Sequence, residues 1–236
     1  LPGLMAADDC FEYVIKYKGA GQGVKALIAD FIGGEMARVL GINVPEMVYA
    51  ILPKEFGQSE PDEEIQHLLK SSVGMNLGVH YLSRSVTFDP VATYVAPELA
   101  NKIVWLDALL MNVDRTVKNT NMLVWNKELW LIDHGASLYF HHNMLHWKDM
   151  LASPFKTIGK HVLVYHTKNI AATDVWCKSI LTENVIDEIV ALLPEEWLPE
   201  EDGLSSIDKR AIYKDFLWNR MNNSEVFVNE IKGYER

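Results

Sequence analysis

The sequence predicts an α+β protein of two lobes, and the order of its patterns is what predicts it. Alternating apolar and polar residues gather in the first part of the chain, helical stripes dominate after Ala96, and the strands that interrupt the later half form a single hairpin. The lobe boundary is expected between Ser83 and Pro90, which assigns residues 1–85 to a first, nucleotide-binding lobe and residues 86–236 to a second, catalytic and mostly helical lobe.

Each element follows from local chemistry. LPGLMAADDCFEYVIKYKG reads as two strands around a turn at Asp8 and Asp9, with Phe11, Tyr13, Ile15 and Tyr17 on one face and Glu12, Val14, Lys16 and Lys18 on the other. The glycines of Gly19–Gly23 break that pattern. A helix is then expected from Val24 to Leu40, stopped by Gly41, followed by a strand in VPEMVYAIL. Lys54–Gln66 is acidic and poor in apolar residues, so it reads as an exposed loop or short surface helix. GMNLGVHYLS, Gly74–Ser83, reads as a strand leading to the lobe connection. From Ala96 to Met111 a helix is expected, with Pro97 in its first turn and Ile103, Val104, Leu106 and Leu110 in its stripe. Later helices are expected over Met144–Leu151, Asp174–Ser179, Asn184–Leu193 and Ile207–Met221, the last preceded by a capping box of Ser205 with Asp208.

Composition narrows the function classes. At 236 residues and 49% hydrophobic, the chain can bury a sizeable core, and a net charge of −10 excludes a nonspecific nucleic-acid binder. An anionic substrate would need a metal or local basic groups. Cys10 and Cys177 have no metal or redox spacing, so a reducing cytoplasm is the expected setting. No apolar run approaches the ~20 residues of a membrane span, and no signal peptide is visible. Leu1 is not an initiator methionine, which leaves room for residues upstream of it.

The chemistry gathers in Asn112–Gly135. Asp114 and Asn119 stand as D-x-x-x-x-N, and Asp133 follows in LIDHG after two short strands that flank a two-residue turn at Asn126 and Lys127. Such a hairpin returns Asp133 to the neighbourhood of Asp114. Phosphoryl transfer uses this set: one carboxylate orients the acceptor hydroxyl and takes its proton, while an amide oxygen and a second carboxylate hold magnesium. The plainer reading is that Asp114 and Asn119 cap turns and Asp133 ends a strand. The spacing and the hairpin together favour the chemical one.

A kinase also needs a strand lysine for the phosphates and a helix acid to hold it. Lys16 in VIK is the strand lysine. Glu35 falls within the apolar stripe of Ile28, Phe31, Ile32 and Val39, where an acid needs a partner, and it is expected to pair with Lys16. Asp30 is read as pointing away from that stripe, and Lys18 as lying at the strand end.

YVIKY, GEMARVLGINVPE, NVDRTVKNTN and LIDHG resemble the HipA-like kinase family, and the N-x-D-R-x-x-x-N wording is also similar to lipid kinases. The resemblance runs in order to about Tyr139 and more loosely through LLPEEWL and the final helix. It implies a bilobal protein-kinase-like fold and ATP- and Mg-dependent phosphorylation of a Ser or Thr hydroxyl on a protein. Carried over, Lys16 would contact the phosphates, Glu35 would pair with it, Asp114 would be the base, and Asn119 and Asp133 would hold metal. Thr116 departs from the His that many members have. The family's glycine- and serine-containing phosphate loop precedes its first strand pair, and only Gly3 stands in that place here. Gly19–Gly23 follows the lysine strand and reads as a flexible link into the helix more readily than as a phosphate cradle. GMNLGVHYL is the expected hinge region.

Two rival readings stay open on the sequence. One is a pseudokinase, an interaction module that keeps the fold without activity. The other is a small-molecule kinase resembling aminoglycoside phosphotransferases, although that group has His where this chain has Asn112. His134, His141, His142 and His146 match no zinc motif, and packing beside Asp133 is expected for His134. The seven tryptophans are scattered and read as core.

Overall fold

A computed structural model describes residues 2–235. The first lobe carries an antiparallel sheet of β1 (Gly3–Ala6), β2 (Glu12–Lys16), β3 (Met47–Leu52) and β4 (Gly74–His80) in the order β1-β2-β4-β3. Ile15 lies between Gly3 and Gly78 in register. Period-two alternation puts Tyr13, Ile15 and Tyr17 in a small core with Leu52 and Leu69, beneath the short helix α2 (Glu63–Ser71). Val14 and Lys16 therefore face the other way. Asp62 caps α2 by accepting from the amides of Glu64 and Ile65, so the acidic segment ends in the surface helix that was one of its two expected forms.

Helix α1 (Val24–Val39) is not a surface element of that lobe. It is buried almost all round, and its Leu27, Ile28, Phe31 and Ile32 join one large core with α3 (Pro97–Leu110) and α5 (Glu183–Ala191). Glycines permit this closeness: a Cβ on Gly33 would lie 2.6 Å from the Cβ of His134, and one on Gly34 would meet the Met47 side chain. The expected one-sided stripe is therefore absent from α1.

The second sheet has the order β5-β6-β7, from β5 (Val86–Thr87), β6 (Met122–Trp125) and β7 (Glu128–Leu131). Asn126 and Lys127 join the last two strands with φ of 50° and 69°, the paired left-handed geometry of a tight hairpin turn. Helices α4 (Ile170–Ile180), α6 (Ser206–Asn222) and α7 (Glu225–Lys232) complete the lobe. Met144–Met150 winds as 3-10 turns rather than the expected α-helix, with His146 at a non-helical φ of −115°. Helix α7 was not anticipated; it buries Phe227, Val228 and Ile231, too short a pattern to stand out beside α6. Among the described residues no helix is long and apolar enough to cross a membrane.

The capping box at α6 forms in full, with Ser205 Oγ accepting from the Asp208 amide and Asp208 accepting from the Ser205 amide. Ser205→Ala should lower unfolding stability by about 1 kcal/mol in urea titrations, with the slope unchanged.

Candidate active site

Lys16 is the last residue of β2, and its ammonium lies 2.6 Å from Asp30 Oδ2 and 2.8 Å from Asp133 Oδ1. Asp30, in the second turn of α1, is buried, and its other oxygen accepts the His134 amide at 2.6 Å. One carboxylate thus ties the lysine strand to the chain just past β7. Asp133 adopts φ of 57°, a left-handed turn that Asp tolerates, and its side chain stays 48% exposed. Burial alone would lower the Lys16 pKa, but the charges of Asp30 and Asp133 raise it. Burial likewise opposes ionisation of Asp133, yet Lys16 holds its carboxyl below the ordinary value. Enclosure of Asp30 pushes its carboxyl up, against the pull of Lys16.

The expected partner of Lys16 was Glu35, and the geometry corrects this to Asp30. Five residues turn an α-helix by roughly 140° beyond a full turn, so the two acids occupy different sides of α1. Glu35 instead sits 3.4 Å from its own neighbour Arg38. With α1 buried on nearly every side, stripe membership could not single out the acid that meets the sheet.

Asp114 and Asn119 do come together. The loop between α3 and β6 leaves the helix through Met111 in the left-handed conformation, and Asn112 then turns the chain by accepting the Asp114 amide. Asp114 Oδ2 accepts from Asn119 Nδ2 at 2.7 Å and from Asn121 Nδ2 at 3.4 Å. Backbone bonds from Val113 to Ala136 and from Ile132 to Asn121 lay this loop beside the Asp133 segment. Asp133 Oδ2 and Asn119 Oδ1 have no hydrogen bond within the described residues, and both are hard oxygen donors of the kind magnesium takes. A cleft of about 300 Å³ opens among Lys16, Tyr17, Gln22, Asp30, Asp133 and Ala136. A second, of about 490 Å³, runs past Phe88, Asp89, Asn119, Asn121, Met122 and Ile132.

Beneath the loop lies a group that sequence reading missed. Asp107 accepts from Arg115 Nε at 2.6 Å, from His161 Nε2 at 2.9 Å and from Asn112 Nδ2 at 2.9 Å, all of them buried. Arg115 also donates to the carbonyls of Asn121 and Ile132. Burial would raise the Asp107 pKa, but Arg115 and His161 hold it far below the carboxylate range. An acid inside the apolar run of α3 was the available signal for Asp107. Nothing local marked His161.

His134 is packed against Gly33, as expected for a residue beside Asp133, and burial with the nearby Arg115 charge pushes its pKa down to about 3, so its ring is neutral. His141 is also buried and packs edge-on against His142 with ring centroids 4.6 Å apart, His142 meets Gln22, and His146 lies near Asp149.

The model of the HipA-like kinase family matches residues 2–227, and the chain belongs to that family of phosphotransferases. Its fold is similar to the crystal structure of the Helicobacter pylori proinflammatory kinase CtkA, with a TM-score of 0.56 over 98% of this chain and 93% of that one. At 12% identity the likeness speaks for the fold, a bilobal kinase-like one. No curated protein is similar enough in sequence to add a relative.

Two substitutions separate Asp30 from Glu35. Asp30→Asn should cost roughly 2 kcal/mol by urea denaturation, because it removes a buried charge-assisted bond, whereas Glu35→Gln should stay within about 0.5 kcal/mol. Equal effects would restore Glu35 as a candidate partner. For Asp107, whose folded-state pKa is depressed, the stabilisation is fully present above the unfolded value near ~3.9 and is lost as pH falls toward the folded value. The stability gap between the native chain and Asp107→Asn should therefore be constant near neutrality and shrink below about pH 4.

Proposed function

We propose that this chain is an ATP- and Mg-dependent kinase of protein Ser or Thr hydroxyls. The observation that carries the reading is the meeting of Lys16 with Asp133 at one cleft, beside a loop in which Asp114 and Asn119 are already paired. Family membership supports the phosphotransferase class, and the acceptor is inferred from the resemblance.

In this reading Asp114 orients the acceptor hydroxyl and takes its proton, held in place by the amide groups of Asn119 and Asn121. Asn119 and Asp133 would hold magnesium through their oxygens, and the ion, when bound, would neutralise charge on the β and γ phosphates. Lys16 contacts the phosphates. Its bond to Asp133 Oδ1 is the one that would be exchanged on nucleotide binding, while Asp30 would keep the ammonium aimed into the cleft. A cytoplasmic setting accompanies the reading, supported by Cys10 and Cys177 being free thiols.

Calorimetry with ATP, with and without magnesium, followed by labelled-phosphate transfer to the chain itself or to lysate protein, tests the proposal. Magnesium-dependent binding with transfer is expected; binding without transfer would favour the pseudokinase alternative. Asp114→Asn should reduce transfer by about 10²–10⁴-fold while leaving ATP affinity within about threefold, since the base acts on the acceptor. Asp133→Ala should abolish the magnesium dependence of nucleotide binding, and an unchanged metal titration would remove Asp133 from the metal site.

A further inference from the structure

Asp114 and Asp133 lie on separate stretches of chain, and the side chains that connect those stretches are below the cleft. Asp107, in the last turn of α3, is 0% exposed and uses both oxygens: Oδ1 accepts Asn112, and Oδ2 accepts Arg115 and His161. Arg115 follows Asp114 in the chain. Its Nη1 donates to the carbonyl of Asn121, two residues past Asn119, and to that of Ile132, one residue before Asp133. A single planar guanidinium therefore touches the backbone at both ends of the β6–β7 hairpin.

His161 completes the group from a third stretch. Its Nδ1 accepts the Leu163 amide at 3.0 Å, which leaves the ring hydrogen on Nε2 for Asp107 and makes the imidazole neutral. The charge facing Asp107 is then that of Arg115. Thr116 bridges to His161 through the backbone, so the 151–168 segment is pinned to the Asp114 loop at the same point.

Stability does not require such a group. Buried ion pairs are often no better for folding than apolar residues of similar volume, and Leu106, Ala108, Leu109 and Leu110 already fill the surrounding core. A fork of directed hydrogen bonds supplies position instead, and a displacement of about 1 Å in a reacting group costs about 10²-fold in rate. We infer that Asp107, acting through Arg115, is a positioning residue that sets the separation of Asp114 from Asp133, with His161 as the neutral third member. The inference rests on the phosphotransferase reading and assigns roles to residues outside the cleft.

The deciding variant is Asp107→Leu/Arg115→Met, which replaces the pair by apolar groups so that neither charge is left alone. It is compared with the native chain by thermal melting, ATP calorimetry and ADP formation from Mg-ATP. The expected result is a folded protein with nucleotide affinity within about threefold and kcat lowered about 10²-fold. Wild-type kcat in that folded variant overturns the positioning role. Should the double variant not fold, His161 decides: His161→Leu should lower kcat per folded molecule about tenfold and His161→Gln, which keeps a donor toward Asp107, should restore it. Unchanged kcat in His161→Leu overturns the inference. A native chain with no turnover at all removes the function reading and this inference with it, which distinguishes that failure from the loss of positioning alone.

Discussion

An ammonium group placed between two carboxylates from distant parts of the chain organises this molecule. Lys16 is only 19% exposed, and its charge would be costly there without partners. Asp30 supplies the enclosed partner because α1 runs through the main core, and Asp133 supplies the more open one, its side chain half exposed to solvent. The arrangement needs His134 to approach α1 closely enough for its amide to reach Asp30, which is where Gly33 matters: any Cβ would occupy the position of the His134 side chain. Strand, helix and hairpin exit are thereby bound into one unit.

The lobes are also joined on a second side, through the segment between α5 and α6. Glu196 forms an ion pair with Lys18 and accepts the Met75 amide on both oxygens, Trp197 donates to the Met75 carbonyl at 2.9 Å, and Tyr49 donates to the Leu192 carbonyl at 2.6 Å. Trp197 itself is 1% exposed and packs edge-on against Phe31 and Tyr49. Arg210 of α6 holds the start of the same segment by donating to the carbonyls of Val190 and Leu193. Motion of the first sheet relative to α1 is opposed at this edge, and because Tyr49, Leu77 and Lys16 are in register the Lys16 cleft lies on the same face of these strands.

Much of this was legible because its signals are local. The strand alternation in Glu12–Lys16, the turn at Asn126 and Lys127 and the Ser205 capping box each need only a few neighbouring residues to be recognised, and each appears as expected, while the D-x-x-x-x-N spacing brings Asp114 and Asn119 within hydrogen-bond distance. What escaped depends on packing from several sides. Periodicity placed Glu35 in the stripe of α1 and Asp30 away from it, but α1 has no solvent face to give that stripe meaning, and only the approach of β2 and His134 picks out Asp30. Asp107 and His161 are separated by 54 residues, and their bond exists only once the 151–168 segment has folded under the Asp114 loop. Met144–Met150 carried an apolar pattern that suits a helix, yet its tight connections leave it in 3-10 turns.

The most direct test of the account is a crystal structure with magnesium and a non-hydrolysable ATP analogue. The account predicts the triphosphate against Lys16, the metal between Asn119 and Asp133, the Lys16–Asp133 bond opened and the Lys16–Asp30 bond kept. A nucleotide seated elsewhere, or a metal that leaves both Asn119 and Asp133 unbound, would contradict it.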